Sequence, residues 1–235
     1  DNLRFMTFLN SKFLFFFLGL FLLTVLVFRG VLDNGFVLNW DDLEYVTENP
    51  MVQKWPNFFE MTTSFYAANW HPITWLSHAL DYQLYGLNPW GHHLTNLLLH
   101  GLNTCLVFVL FVLLVGRGRE GYDNGVYIGG IFTALLFGLH PLRVESVAWV
   151  SERKDLLCGF FFFSTIAAYC TYVREKKRLG YNLLIFFFTL AIMSKPMAVT
   201  LPIVLLLLDV FPLERVRLTK DLPPLFIEKI PLFAL

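Results

Sequence analysis

Long uncharged apolar runs alternate with short polar segments along the chain, and this alternation predicts its main elements. A helix needs roughly 20 apolar residues to cross the hydrocarbon core of a bilayer. The run 94–115 meets that length, with 22 residues that carry no charge. We therefore predict an all-α integral membrane protein. The predicted spans lie at about 13–32, 94–115, 126–140, 156–173, 181–194 and 197–211, and a seventh starts from about 222.

The two runs on either side of Ser194-Lys195-Pro196 are short, and neither alone comfortably reaches the length of a span. Basic clusters stand before the first run and after the second, and basic residues favour the cytoplasmic side of a membrane. An even number of crossings must then separate the two clusters, which a pair of short helices satisfies. Lys195 is therefore predicted at the opposite surface.

The same rule orients the whole chain, because 11 of its 18 basic residues fall on one side of the predicted membrane. We predict that this side is cytoplasmic, with the N-terminus inside and the first loop outside. The 11 residues are Arg4, Lys12, Arg117, Arg119, Arg174, Lys176, Lys177, Arg178, Arg215, Arg217 and Lys220.

Composition agrees with a membrane protein and excludes an ordinary soluble domain. Hydrophobic residues make up 56% of the chain and charged residues 15%, against roughly 25% charged residues in soluble domains. The 18 basic and 18 acidic residues cancel, so no overall field would attract nucleic acid. All three cysteines lie inside apolar runs, which favours buried packing residues over a metal site or a disulfide framework.

The predicted outer loop, residues 33–93, is acidic and rich in tryptophan. It holds seven acidic residues against a single lysine, Lys54. Tryptophan favours the headgroup region of a membrane. The segment 75–82 mixes apolar and polar residues at roughly helical spacing, which predicts an interfacial helix.

Asp41 and Asp42 are the first candidates for chemistry, just beyond the first span. Adjacent carboxylates near a membrane surface can act as a general base, bind a metal or position an acceptor hydroxyl. A solvated turn or a helix cap is the alternative interpretation of the pair.

Polar residues inside the second span form another candidate. Asn96, His100 and Asn103 share one helical face, and His92 or His93 lies one turn earlier. Polar groups within a membrane usually face the bundle interior or a wet cavity. Hydrogen bonding between helices would also explain them.

The short outer loop 140–155 concentrates ionisable residues at the same predicted membrane face. It contains His140, Glu145, Arg153 and Asp155, and Lys195 adds a further cation there. Basic groups in this position could hold a lipid phosphate, whereas a salt-bridged loop is the alternative.

Several separate motifs occur in a characteristic order. They are Asn39-Trp40-Asp41-Asp42, the segments 71–77, 86–100 and 140–148, and Ser194-Lys195-Pro196. In these motifs the chain resembles the bacterial membrane proteins with tetratricopeptide repeats that are related to the eukaryotic transmembrane, repeat-containing protein O-mannosyltransferases. Both groups belong to the GT-C glycosyltransferase superfamily, and the resemblance covers nearly the whole chain.

The resemblance implies a GT-C-like multi-span bundle, with repeats expected beyond residue 235, and a bacterial inner membrane as its location. It implies that a sugar, with mannose as one candidate, is moved from a polyprenyl-phosphate donor to a hydroxyl acceptor on a protein. Partners would be that donor, a protein bound through the repeats, and membrane lipid, but no nucleic acid. No ligand pattern requires a metal, although the chemistry allows a divalent cation.

Residue chemistry and resemblance together define the predicted site. We predict catalytic roles for Asp41, Asp42 and Glu145, donor phosphate binding by Arg153, Lys195 and His140, and a substrate pocket with Asn96, His100 and Asp155. Two alternatives stay open: a non-enzymatic membrane scaffold that displays a repeat domain, and a transporter of lipid-linked sugars.

Overall fold

The computed structural model describes residues 11–116, 123–216, 218 and 221–235, which fold almost entirely into helices. No strand forms in that part of the chain, where Tyr66 and Asn69 make one isolated antiparallel bridge. The α-helices are α1 (Ser11–Phe28), α2 (Phe58–Thr63), α3 (Pro72–Tyr85), α4 (Pro89–Val115), α5 (Asn124–Gly138), α6 (Val144–Ala148), α7 (Arg153–Glu175), α8 (Arg178–Ser194), α9 (Leu201–Val210) and α10 (Leu222–Ala234).

Tight helical turns connect or extend several of these helices. The turn Leu43–Thr47 is a π turn, and the others have 3₁₀ geometry. The 3₁₀ turns are Arg29–Asp33, Pro141–Arg143, Val150–Glu152 and Pro196–Thr200.

Three helical segments are long and apolar enough to cross a membrane: Ser11–Asp33, Pro89–Val115 and Val150–Glu175. A fourth span is possible if Asn124–Gly138 and Pro141–Ala148, which bend by 54° at their junction, form one crossing. These helices confirm the prediction of an all-α integral membrane protein.

The shorter apolar helices Arg178–Ser194 and Pro196–Val210 coincide with the two short runs of the sequence. Crossing of the membrane by this pair stays a prediction, as does the orientation of the chain. Five of the basic residues used to predict that orientation lie outside the described residues: Arg4, Arg117, Arg119, Arg217 and Lys220.

Helix α4 lies at the centre of the bundle and packs against α1, α5 and α7. Its start is encoded locally, because the Asn88 side chain accepts a hydrogen bond from the Trp90 N–H and Pro89 occupies the first turn. The small residues of α5 allow a close approach to α4. A Cβ at Gly129 or Gly130 would lie 2.7 or 2.9 Å from the phenylalanine rings of α4.

The first loop folds into a small core of its own. Tyr45, Met61 and Trp75 pack there with Val150, and all are at most 1% exposed. The predicted helix at 75–82 is confirmed, since it lies within α3. Trp75, however, is fully buried. The Trp75 ring therefore packs against protein, whereas Leu80 and Leu84 of the same helix are exposed. An interfacial position of the helix stays a prediction.

A buried ionic network fixes the last helix, α10, to α7 and α9. Lys229 Nζ lies 2.6 Å from Asp209 Oδ2, and both side chains are almost completely buried. Arg215 pairs with Glu228 at 2.9 Å, and the Tyr169 hydroxyl contacts members of both pairs. Buried charges persist only when paired and hydrogen-bonded, so this network sets the position of α10. All three cysteines are buried, as predicted, and the described residues contain no disulfide.

Candidate functional site

Asp42 connects the first loop to the segment that precedes α7. Its carboxylate is fully buried. Oδ2 accepts a hydrogen bond from the Val37 N–H and Oδ1 accepts one from the Ser151 N–H, both at 2.8 Å. With both oxygens committed to backbone donors, Asp42 is placed to position the loops. Its burial is at odds with the predicted role as a base, because an acceptor hydroxyl cannot reach it.

Asp41 has the opposite environment. Its side chain is 47% exposed, and Oδ2 lies 3.1 Å from Lys154 Nζ. The same ammonium group lies 2.9 Å from Glu152 Oε1. Asp41 is therefore an accessible carboxylate that a lysine holds in place.

Lys195 extends this chain of charges. It forms an ion pair with Asp155 and lies 3.8 Å from Glu152 Oε2, so Glu152 stands between two lysines. We call Asp41, Glu152, Lys154, Asp155 and Lys195 the Asp41–Lys195 cluster.

Packing between α3 and α8 positions Lys195 in the cluster. The Thr74 hydroxyl donates to the Ser194 carbonyl at 3.1 Å across 120 residues of sequence. The motif at 71–77 thus holds the Ser194-Lys195-Pro196 motif in place.

Tyr45 and His71 pack beside Lys154 of the cluster. Lys154 Nζ lies 4.7 Å from the centre of the Tyr45 ring, and the Tyr45 hydroxyl is hydrogen-bonded to His71 Nδ1 at 3.3 Å. Burial, together with the positive charges of Lys154 and Lys195, lowers the pKa of His71 to about 4. His71 is therefore neutral at neutral pH.

Arg153 points away from the cluster, into the protein. It is fully buried and forms an ion pair with Asp81 at 2.6 Å. Its guanidinium also donates to Asn96 Oδ1 and to the His92 carbonyl, both at 2.7 Å, and to Ser77. The predicted contact between Arg153 and a donor phosphate does not fit this environment, because its donors are occupied and shielded.

The polar face of the second span is used mainly for hydrogen bonding between segments, which was the alternative interpretation. Asn96 Nδ2 donates to the Trp149 carbonyl at 3.1 Å. Asn96 therefore supports the segment before α7 and does not line the cavity described next.

His100 and Asp155, by contrast, do share a cavity. It has a volume of about 130 Å³ and lies between α4, α5, α6 and α7. Asn103 lines the same cavity. Two of the three residues predicted for a substrate pocket are thus brought together.

Glu145 and His140 lie outside the cluster. Both are exposed. His140 Nδ1 accepts a hydrogen bond from the Leu142 N–H at 3.2 Å and so caps the turn Pro141–Arg143. Among the described residues, neither side chain forms an ion pair with the cluster.

Sequence reasoning missed four residues of this site: Tyr45, His71, Glu152 and Lys154. Glu152 and Lys154 lie in the loop 140–155 that the sequence analysis identified. The sequence analysis assigned phosphate binding to Arg153, which lies between them, and assigned no role to Glu152 or Lys154. Tyr45 carried no signal of its own, and His71 was noted only as the first residue of the motif 71–77.

The site offers an accessible carboxylate, Asp41, paired with Lys154, and Glu152 links that lysine to Lys195. This arrangement is suited to proton abstraction beside a bound anion. In the part of the chain that the structure describes, no group of three or more His, Cys, Asp and Glu side chains could hold a metal ion.

Comparison with known proteins identifies relatives of the chain. Human protein O-mannosyl-transferase TMTC4 is 31% identical over 156 residues, which are 63% of this chain and 21% of that protein. Human protein O-mannosyl-transferase TMTC2 is 28% identical over 169 residues, 68% of this chain and 19% of that protein. The homologues are protein O-mannosyl-transferases.

The Drosophila melanogaster protein O-mannosyl-transferase Tmtc1 is 28% identical over 188 residues, 76% of this chain and 21% of that protein. The chain therefore spans about a fifth of the length of these relatives. They are animal proteins, so a bacterial origin stays a prediction. No family model and no solved structure matches the chain.

Proposed function

We propose that the chain is part of a membrane glycosyltransferase of the GT-C type, which moves a sugar from a polyprenyl-phosphate donor to a protein hydroxyl. The observation that carries the proposal is the pairing of accessible Asp41 with Lys154 in the Asp41–Lys195 cluster. The names of the homologues support the same reaction class.

In the proposed reaction, Asp41 accepts the proton of the acceptor hydroxyl. The acceptor oxygen forms a bond to the anomeric carbon of the sugar while the bond from that carbon to the phosphate oxygen breaks. The polyprenyl phosphate leaves with the electron pair, and the configuration at the anomeric carbon is inverted. A base in this role contributes roughly 10²–10⁴ to the rate.

Lys154 and Lys195 are the proposed ligands of the leaving phosphate. Both now contact carboxylates, and Glu152 lies between them. A phosphate must displace a carboxylate from these lysines. Displacement of Asp41 from Lys154 frees that carboxylate to act as a base, so donor binding prepares the acceptor step.

Asp42 and Arg153 are positioning residues in this proposal. Asp42 joins the loop of Asp41 to the segment of Lys154, and Arg153 fixes the start of α7 against Asp81. We assign no contact with the reacting atoms to either residue.

The remaining features are part of the same proposal. The transfer site faces the non-cytoplasmic side, the N-terminus is cytoplasmic, and the acceptor protein is bound through repeats beyond residue 235. The bacterial inner membrane, and roles for Glu145 and His140 at the site, stay predictions.

The test is sugar transfer in membranes that contain the full-length protein, supplied with radiolabelled polyprenyl-phosphate sugars. Asp41→Asn should lower the transfer rate by roughly 10²–10⁴, and Lys195→Met should also lower it strongly. The matched controls are Asp33→Asn, at an exposed aspartate in the same loop, and Lys54→Met, at an exposed lysine paired only with Glu60 among the described residues.

Loss of transfer in the two cluster variants, with both controls active and all proteins expressed equally, would support the proposal. Transfer at one rate in every variant would refute the assigned site. An absence of transfer from every donor would favour the scaffold.

A further inference from the structure

The cavity between α4, α5, α6 and α7 has a polar lining, in which only Asp155 belongs to the Asp41–Lys195 cluster. Its volume is about 130 Å³, close to the engineered cavity of about 150 Å³ that holds benzene in another protein. His100, Asn103, Arg143, Ser146 and Asp155 line it.

His100 presents a hydrogen-bond acceptor with no partner. Its Nε2 lies 2.8 Å from the Gly138 carbonyl oxygen, which can only accept, so Nε2 carries the proton. In the neutral ring Nδ1 is then a bare acceptor. Nδ1 is buried, and no protein atom of the described residues bonds to it.

Asn103 presents a second unpartnered acceptor. Its Nδ2 donates to the Leu156 carbonyl at 2.9 Å, which fixes the orientation of the amide. Oδ1 is buried and lacks a hydrogen-bond partner within the described residues. Such buried groups are nearly always satisfied in folded proteins, and both residues line the cavity, so a ligand with donor groups would satisfy them.

The Asp155 carboxylate completes an acceptor-rich lining. One of its oxygens pairs with Lys195, and the other accepts from the Ser146 hydroxyl at 3.5 Å. The cation of the cavity, Arg143, stacks on the Phe137 ring at 4.4 Å. An anion in this cavity would meet three acceptors, whereas a hydroxyl group can donate to each of them.

We propose that this cavity binds the hydroxyl groups of a neutral sugar. The inference rests on the proposed function, and it makes the site bipartite. Lys154 and Lys195 take the phosphate of the donor, while His100, Asn103 and Asp155 take hydroxyl groups of the sugar attached to it. Asp155 belongs to both parts, because it contacts Lys195 and lines the cavity.

Gly159 of α7 offers a way to fill the cavity without disturbing the fold. A Cβ there would lie 3.5 Å from Asn103 Nδ2, its nearest neighbour, which is an ordinary van der Waals contact. The Gly159→Ala methyl group would therefore occupy ligand space beside the Asn103 amide, 4.0 Å from its unpartnered Oδ1. Gly19 in α1 is the matched control, since a Cβ there meets nothing within 4 Å.

The experiment measures binding of methyl α-D-mannopyranoside to the full-length protein in detergent micelles by saturation-transfer NMR. Gly159→Ala should raise the dissociation constant at least about tenfold, the effect of one misplaced methyl group in a fitted site. Gly19→Ala should leave the constant unchanged. Ser146→Val, which enlarges a second side chain of the cavity lining, should act like Gly159→Ala, and melting curves confirm that each variant is folded.

Equal binding of the glycoside to wild type and to both folded cavity variants would overturn the inference. Competition for this binding by inorganic phosphate that is lost in Gly159→Ala would also overturn it, because the cavity would then be an anion site. The proposed function fails separately: a glycoside that binds and responds to Gly159→Ala, without any transfer from polyprenyl-phosphate sugars, leaves this inference standing.

Discussion

The two adjacent aspartates of the first loop should differ sharply when each is changed to asparagine. Asp42 uses both carboxylate oxygens to accept backbone N–H groups at 2.8 Å, one from Val37 and one from Ser151. An asparagine amide keeps one acceptor oxygen and replaces the other with a donor. One buried backbone N–H would then face an N–H₂ group and lose its partner.

The free-energy cost follows from these contacts. A hydrogen bond to a charged group contributes about 1.5–3 kcal/mol, and a buried donor without a partner costs about 1–3 kcal/mol. Because the two terms overlap, we expect Asp42→Asn to lower the free energy of unfolding by about 2–4 kcal/mol. Asp41→Asn breaks a half-exposed ion pair with Lys154, which is worth about 0–1 kcal/mol.

The buried cysteines supply the assay. Cys105, Cys158 and Cys170 are buried thiols that form no disulfide, so a thiol-reactive fluorophore labels them only as the protein unfolds. Unfolding titrations in mixed micelles give the free-energy differences, and sugar transfer is measured on the same preparations. Asp42→Asn should lose stability, whereas Asp41→Asn should lose transfer and keep its stability.

The reverse pattern would refute the reasoning. If Asp42→Asn unfolds like wild type but transfers no sugar, and Asp41→Asn transfers normally, then Asp42 is the base. The buried carboxylate would in that case have to become accessible in the reacting state.

Three further changes test other parts of the structure. The pKa of His71 is lowered to about 4, so the unfolded chain binds the proton more readily and stability should fall as pH drops from about 6.5 to 4. The fall amounts to at most about 3 kcal/mol, and His71→Gln should flatten a plot of melting temperature against pH. Arg153→Lys cannot reproduce the guanidinium fork that binds Asp81 and should lower the melting temperature. Lys229→Met leaves Asp209 buried without its lysine and should cost about 3–5 kcal/mol of unfolding free energy.

Matched variants separate these effects from general damage. Arg174→Lys and Lys177→Met change exposed residues of the same types and should be nearly neutral. A His71→Gln protein with an unchanged pH slope would contradict the assigned pKa. Wild-type stability in Lys229→Met would mean that α10 does not depend on the buried network.

Much of the fold could be predicted from the order of apolar and polar residues. A long uncharged run such as 94–115 has few ways to satisfy its backbone in lipid other than as a helix. The observed helix Pro89–Val115 begins five residues earlier, because Asn88 and Pro89 cap it beyond the apolar run. Prediction of α3 from the segment 75–82 succeeded for a similar reason, since the spacing of its residues already has the helical period.

The candidate site was predicted in part. Asp41, Asp155 and Lys195 do meet, although they are far apart in sequence, because motifs placed at one predicted face of the membrane converge there. The roles of neighbours within a motif were not accessible. Asp41 and Asp42 are chemically identical in the sequence, and only the backbone donors of Val37 and Ser151 distinguish them.

The sequence by itself therefore determined the class of protein and its long apolar helices, and it indicated the segments of the candidate site, since hydrophobicity and periodicity act locally along the chain. The tertiary structure decided which side chain faces which partner. Successive residues at the start of a helix point about 100° apart, so Arg153 enters the interior towards Asp81 while Lys154 reaches Asp41. Contacts with other helices and with the first loop set the rotation of α7 about its axis. This rotation places Lys154, and not Arg153, in the Asp41–Lys195 cluster.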